Sequence, residues 1–212
     1  PSAELGEGVC IGPLATVAAG ARLGDRVVLC AGARVGADVG IGADTILFEN
    51  AVVRHGCQVG QRVRLGPSSV VGHDGFGYHT AQGRHERVPH AGTVILADEV
   101  ELGACACVDR AKFGATRIGP GTKTDNLVQI AHNVRTGTGC LFAALVGIAG
   151  SAELGDYVVL GGHAGLRDNI RVGSGVTATA FAAVAGDVED GQAIGGVPAR
   201  EIREQRRIVL AE

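Results

Sequence analysis

Large aromatic side chains are nearly missing from this chain. Its 212 residues include no Trp, no Met and only 3% aromatics, so the interior cannot be filled as most globular cores are filled. Val, Ile, Leu, Ala and Cys must do that work, which implies a narrow and regular interior. An excess of positive charge is also missing. The formal net charge is −3, which removes the electrostatic case for nucleic-acid binding. No apolar run approaches the roughly 18 residues of a membrane span, and no signal peptide opens the chain. A start at Pro1 fits either removal of an initiator Met or trimming. Cys10, Cys30, Cys57, Cys105, Cys107 and Cys140 contain no C-x-x-C pair with a matching partner pair. They read as small buried apolar residues in a reducing, cytoplasmic protein.

Glycine is abundant, at 35 residues against a usual share of roughly 7%, and it recurs with a period. Stepping by six from Leu5 meets Ile11, Val17, Leu23, Leu29, Val35, Ile41, Leu47, Val53, Val59, Leu65 and Val71, all aliphatic. Call this position i. Position i+4 is small or β-branched, and i+1 is usually Gly. The frame breaks after Val71, holds briefly at Leu96, Leu102 and Val108, and resumes from Ile118 to Val184. Period six does not suit a continuous helix. It suits very short strands separated by turns, with i and i−2 on one face and glycine supplying turn dihedrals. Three such faces close a triangular prism with 18-residue coils, an all-β parallel β-helix. The expected division is a β-helix over 1–197 and a helical C-terminal segment over 198–212, where Ile202, Ile208 and Val209 alternate with arginines.

His73 to Thr93 carries no repeat, is polar and holds His73, His79, His85 and His90. It reads as a long excursion loop, and long loops on rigid scaffolds often carry function. A shorter break falls near Phe113 to Arg117. Outside the breaks, His132 occupies i+2 of the Ile130 repeat, so its side chain should leave the core near a prism corner. An imidazole there suits general-base work; the plainer reading is a solvated surface His. Stacking should put Gly150 one coil above His132, and Asp168 with Asn169 two coils above. Asp168 and Asn169 either orient substrate or are ordinary turn residues. Phe76 and Tyr78, beside flexible glycines, either line a ligand or acyl groove or plug the loop base. His85 and His90 invite a zinc reading, but no third His stands on a matching face, so no metal is expected. The Arg200, Arg203, Arg206 and Arg207 cluster fits an acidic partner or a solvated helix face.

Several stretches carry a resemblance. Gly72-His-Asp-Gly-Phe-Gly-Tyr78, Val108-Asp-Arg110, Thr124-Asp-Asn-Leu-Val-Gln-Ile-Ala-His-Asn133 and Val146-Gly-Ile-Ala-Gly-Ser151 resemble the UDP-3-O-acylglucosamine N-acyltransferases of lipid A biosynthesis. The resemblance implies a left-handed coil, against the usual crossover hand, and a cytoplasmic homotrimer with active sites between subunits. It implies transfer of a 3-hydroxyacyl group from acyl carrier protein to the 2-amino group of a UDP-3-O-acylglucosamine, with no cofactor. His132 matches the general base. Phe76, Tyr78, Asp109, Arg110, Asp125, Asn126, Gln129, Asn133, Gly150 and Asn169 are the implied substrate-binding set, with Gly150 an oxyanion donor. Two departures stand out. The repeats begin almost at once, so the family's separate N-terminal uridine-gripping domain is expected to be absent. Asn169 stands where the family often has a second His, and His163 nearby does not match. Alternatives are another hexapeptide O-acyl- or acetyltransferase, a non-catalytic scaffold, or a zinc hydratase of the same fold.

Overall fold

The computed structural model describes residues 2–196, and the segment read as a C-terminal helix lies outside the described residues. The chain winds into a left-handed parallel β-helix of about 11 turns. Three parallel sheets of nine, ten and nine strands form the faces of the prism. The first face carries Leu5, Leu23 and Ile41; the second Ile11, Leu29 and Leu47; the third Val17, Val35 and Val53. Most strands are two residues long, one pointing in and one out, because the chain must turn a corner every six residues.

Position i and its partner at i+4 fill the interior as the repeat requires: Val27, Leu47, Ala51, Val53, Leu65 and Ile130 are all fully buried. Among the described residues Phe142 is the one aromatic in the core; Phe76, Phe113, Phe181, Tyr78 and Tyr157 are exposed. Leu5 and Ile11, in the first coil described, are also exposed. The cysteines divide. Cys57 and Cys140 are buried core residues, but Cys10 and Cys105 are exposed, because Cys10 takes an outward strand position and Cys105 a corner.

The corners differ from the expectation that glycine serves their dihedrals. Left-handed φ falls at i+3, and Leu14, Arg26, Tyr157 and Phe181 adopt it there as Gly8 and Gly20 do. Glycine at i+1 answers a shortage of space instead: a Cβ on Gly66 would lie 2.7 Å from the carbonyl carbon of Gly103 in the next coil. Corner amides are satisfied vertically. Arg26 N–H donates to Glu7 O at 2.7 Å and Asp44 N–H to Asp25 O at 2.9 Å, which offsets the cost of left-handed backbone at non-glycine residues.

Successive coils normally advance 18 residues. Between Val59 and Leu96 the step is 37, nineteen more than a regular coil. Between Glu101 and Lys123 it is 22, four more. These extra residues are the two frame breaks, and both leave the third face and return to the first. The larger is not a plain loop. It opens with an extension of the third-face strand Val70–Asp74, then forms an antiparallel hairpin of Tyr78–Ala81 with Arg84–Arg87, turned at Gln82 and Gly83 with φ of 50° and 75°, the left-handed pair of a type I′ turn. Exposed side chains on both its strands hide it from a search for hydrophobic periodicity. No helix among the described residues is long and apolar enough to cross a membrane.

Because the interior is one file of stacked aliphatic layers, a hole in one layer cannot be filled from the side. Leu47→Ala should lower unfolding free energy by about 2–5 kcal/mol, and Leu14→Ala, at an exposed corner, should change it by less than about 0.5 kcal/mol. Denaturant titration of the two variants reads this, and equal effects would contradict the packing described.

Candidate active site

His132, Gly150 and Asp168 occupy i+2 at the corner between the third and first faces in three successive coils. The vertical ladder fixes them there: Ser151 N–H donates to His132 O at 2.9 Å and Asn169 N–H to Gly150 O at 3.0 Å. The half-buried His132 imidazole folds over Gly150. A Cβ at 150 would fall 2.7 Å from Cε1 and 2.8 Å from Nε2 of that ring, so glycine is demanded here by the imidazole and not by backbone dihedrals.

Asn133 sets the tautomer of the neutral ring. Its Oδ1 lies 3.2 Å from His132 Nδ1, and an amide oxygen can only accept. Nδ1 therefore carries the proton in the neutral ring, and the lone pair is on Nε2. The same oxygen accepts Lys112 N–H at 3.0 Å, while Asn133 Nδ2 donates to Phe113 O at 3.0 Å. Asn133 thereby ties the four-residue insertion of the preceding coil to the His132 corner. That insertion delivers Lys112 to the site.

The resulting pocket, about 430 Å³, is lined by Phe76, Lys112, Ala131, His132, Ala149, Gly150, Ser151, Asp168 and Asn169. A second hollow shares Phe76 and Ala131 with it and adds His73, Asp74, Tyr78, Arg87, Asp109 and Gln129. Phe76 borders both hollows and Tyr78 the second alone, with ring centroids 5.1 Å apart, and they do not plug the loop base: Phe76 is 86% exposed. In the second hollow Gln129 Nε2 donates to Asp109 Oδ2 at 2.9 Å. Burial pushes the Asp109 carboxyl up to about 6, with Asp74 adding to the shift and His73 and the Gln129 hydrogen bond opposing it.

Not every residue expected at the site arrives there. Arg110 is buried, with Nε–H on Gly72 O at 2.8 Å, Nη2 on His55 O at 2.8 Å and Nη1 on His55 Nε2 at 2.7 Å. Its donors are committed to the base of the excursion. Asp125 and Asn126 sit at the corner between the second and third faces, where Asp125 Oδ1 accepts Asn126 N–H at 2.7 Å and Asn126 Oδ1 accepts Ala104 N–H at 2.8 Å. Asn169 lines the pocket, but its Nδ2 donates to Asp168 Oδ2 at 2.8 Å. His163 stacks on Phe181, 4.7 Å between centroids, at the same corner as Asn126.

Two residues escape sequence reasoning. Lys112 falls inside the short break, where no period indicates its direction. His90 lies in the excursion and packs edge-on against His132, with ring centroids 5.2 Å apart. His85 does not join it: its Nδ1 meets Thr80 Oγ1 at 3.0 Å across the hairpin. Burial lowers the His90 pKa, and the positive charges of His132 and Lys112 act in the same direction, against the Val88 carbonyl and Asp74. The available signal was the placement of both breaks between a third-face and a first-face strand, at the corner His132 occupies.

Comparison with known proteins agrees with this architecture. The bacterial transferase hexapeptide model (six repeats) matches residues 2–37 and 38–73. The Arabidopsis UDP-N-acetylglucosamine acyltransferase structure superimposes with a TM-score of 0.74 over 92% of this chain and 68% of that one, at 20% identity. That of Francisella novicida gives 0.68 over 96% and 73%, at 22% identity. The fold and the repeat together define a hexapeptide-repeat β-helix. Within that class, a UDP-3-O-acylglucosamine N-acyltransferase of Anaeromyxobacter dehalogenans is 51% identical over 127 residues, 57% of this chain and 36% of that protein. Its namesake in Methylobacterium nodulans is 43% identical over 146 residues, 69% of this chain and 42% of that protein. The chain is thus a homologue of the UDP-3-O-acylglucosamine N-acyltransferases, and it spans less than half the length of these relatives.

Asp109 yields a test by linkage. Its folded pKa is raised, so its stabilising contribution is present below the unfolded value of 3.8 and is lost as pH rises through about 6. Asp109→Asn should therefore stabilise the fold by on the order of 2 kcal/mol at pH 8 and by almost nothing at pH 3.5. Thermal unfolding at the two pH values measures the difference, and a pH-independent effect would rule out the buried-carboxylate account.

Proposed function

We propose that the protein is an N-acyltransferase of lipid A biosynthesis. It moves a 3-hydroxyacyl group from acyl carrier protein to the 2-amino group of a UDP-3-O-acylglucosamine. The observation that carries this reading is the His132 corner: an imidazole whose Nδ1 proton is held by Asn133, leaving the Nε2 lone pair as the base. The identity with acyltransferases of that name supports the substrate assignment.

The chemistry follows from the tautomer. The amine nitrogen attacks the thioester carbonyl carbon while His132 Nε2 takes the N–H proton. The tetrahedral oxyanion is met by the Gly150 N–H, which makes no hydrogen bond among the described residues, and by the Lys112 ammonium. The C–S bond then breaks, and the imidazolium returns its proton to the thiolate. Phe76 and Tyr78 offer apolar surface to an acyl chain, and Asp109 with Gln129 offers hydrogen bonds to a sugar. Asp168 and Asn169 close the far side. Arg110, Asp125 and Asn126 act from behind, by holding the excursion and the neighbouring corner. Acyl carrier protein and a nucleotide sugar as substrates place the reaction in the cytoplasm.

The assembly proposed is a homotrimer with sites between subunits. Leu127, Leu145 and Phe181 form an exposed apolar ridge along the corner between the second and third faces, a feature of association surfaces. Sedimentation should give three times the chain mass, and a monomer at micromolar concentration would refute the trimer.

The test of the activity is to incubate the protein with 3-hydroxyacyl-acyl carrier protein and UDP-3-O-acylglucosamine, and in parallel with UDP-N-acetylglucosamine, following products by mass spectrometry. Diacylated product should form from the amine acceptor, and His132→Ala should lower its rate by at least about 10²-fold. Gly150→Ala, which drives a methyl into the imidazole, should lower kcat by about 10-fold or more, since small displacements of a positioned group are costly. Product from the hydroxyl acceptor alone, or none from either, would defeat the assignment.

A further inference from the structure

His90 is only 6% exposed and takes no part in the steps above. Its Nδ1 lies 3.1 Å from the Val88 carbonyl oxygen, which can only accept, so Nδ1 carries the ring proton. Nε2 is left as a lone pair, buried and without a hydrogen-bond partner among the described residues. Buried acceptors are rarely left unpaired, and those that are call for an explanation.

The neighbourhood supplies one. The two rings meet edge-on, at 62° between planes. Gly75 lies against both: a Cβ there would be 3.0 Å from His90 Nε2 and also 3.0 Å from His132 Cδ2. At Gly77 a Cβ would be 2.8 Å from His90 Cε1. The excursion thus uses two glycines to press a neutral imidazole against the ring assigned as base.

Resting on the reading of His132 as the base, we propose that His90 is a positioning residue whose unpartnered Nε2 lone pair, packed with Gly75 beside the His132 ring, stabilises the His132 imidazolium over the neutral ring. Ring C–H groups of a neutral imidazole are weak donors. They become much more positive once the ring is protonated, so a fixed lone pair beside them favours the charged form. The proton transfer creates that charge, so the contact strengthens in the step that needs it. A Lys or Arg in the same place would have the opposite effect. The other charged groups facing the pair are Asp74 on the excursion, Lys112 on the insertion and Asp168 two coils on. All three stay unchanged in the variants below.

The experiment is an NMR titration of His132 in the full chain with isotope-labelled histidine, the resonance assigned by its loss in His132→Ala. In His90→Phe, which keeps the ring and removes the lone pair, the His132 midpoint should fall by roughly half a pH unit or more. In His90→Gln, whose carbonyl supplies an acceptor, at least half of that fall should be recovered. The acidic limb of kcat/KM against pH should move with the NMR midpoint while KM stays constant. An unchanged or raised midpoint in His90→Phe overturns the proposal, as does a Gln variant that behaves like Phe. Should His90→Phe fail to fold, His90→Leu makes the same comparison. Because the titration needs no turnover, a shift without acyl transfer would count against the proposed function alone, and acyl transfer without a shift would count against the coupling alone.

Discussion

The vertical hydrogen-bond ladder is the constraint on which the molecule depends. Each coil donates its strand and corner amides to the carbonyls of a neighbouring coil, and the corner bonds are as regular as the strand bonds: Arg26 to Glu7, Ser151 to His132, Asn169 to Gly150. Two-residue strands have almost no stability of their own. They persist because each coil between the first and the last is paired above and below and because inward side chains stack in one continuous file. The ladder turns distance along the sequence into position in space. Residues 18 apart stand in a column roughly one strand spacing apart, so a side chain at one corner meets the backbone of the coil above it. The His132 ring meets Gly150 for this reason.

The periodic faces carry only wide, open hollows, such as the one over Glu4, Arg22, Gly40 and Gln58. The pocket arises where the period is broken, and both breaks share one corner. The nineteen-residue excursion lays Gly75, Phe76 and His90 over the coil of His132, and the four-residue insertion brings Lys112 beside it. Neither disturbs the prism, because the strands on either side re-enter register: Val59 pairs with Leu96 and Leu96 with Ile118. The stable part of the structure and the variable part are therefore physically separate. Aliphatic layers supply the stability, and insertions at a single corner wall the pocket beside the His132 column.

This separation explains what the sequence reveals. The six-residue period identifies the prism, its core and the column of His132, Gly150 and Asp168, since each follows from counting. Inside the breaks counting fails. The hairpin of Tyr78–Ala81 and Arg84–Arg87 has no buried face to give alternation, and only Gln82-Gly83 marks its turn. His90 belongs to a four-histidine stretch in which nothing distinguishes the buried ring from the three exposed ones. Arg110 carries a family motif that suggests substrate contact, yet the bulge at Gly72 and the carbonyl of His55 claim its guanidinium. Glycine was misleading for a related reason. Its recurrence looks like a demand for unusual dihedrals, but at i+1 it reflects backbone approach between coils.

The corner column also bears on the second imidazole that the resemblance implies. Asn169 occupies that place with a left-handed φ of 57°, a conformation Asn tolerates well, and its amide turns to Asp168. His163 has a comparable φ of 60° but belongs to another corner and stacks on Phe181. Neither can supply a ring to His132. The imidazole that adjoins it comes from the excursion, which leaves the prism two coils earlier and returns past the same corner. A ring on the column would share the rigidity of the ladder. A ring on the excursion is held by Val88, by the close approach of Gly75 and Gly77, and by the Arg110 and Arg87 contacts to Asp74 at the loop's base. The environment of His132 therefore depends on a segment that the periodic core does not dictate, and substitutions in the excursion can alter it without changing a single layer of the prism.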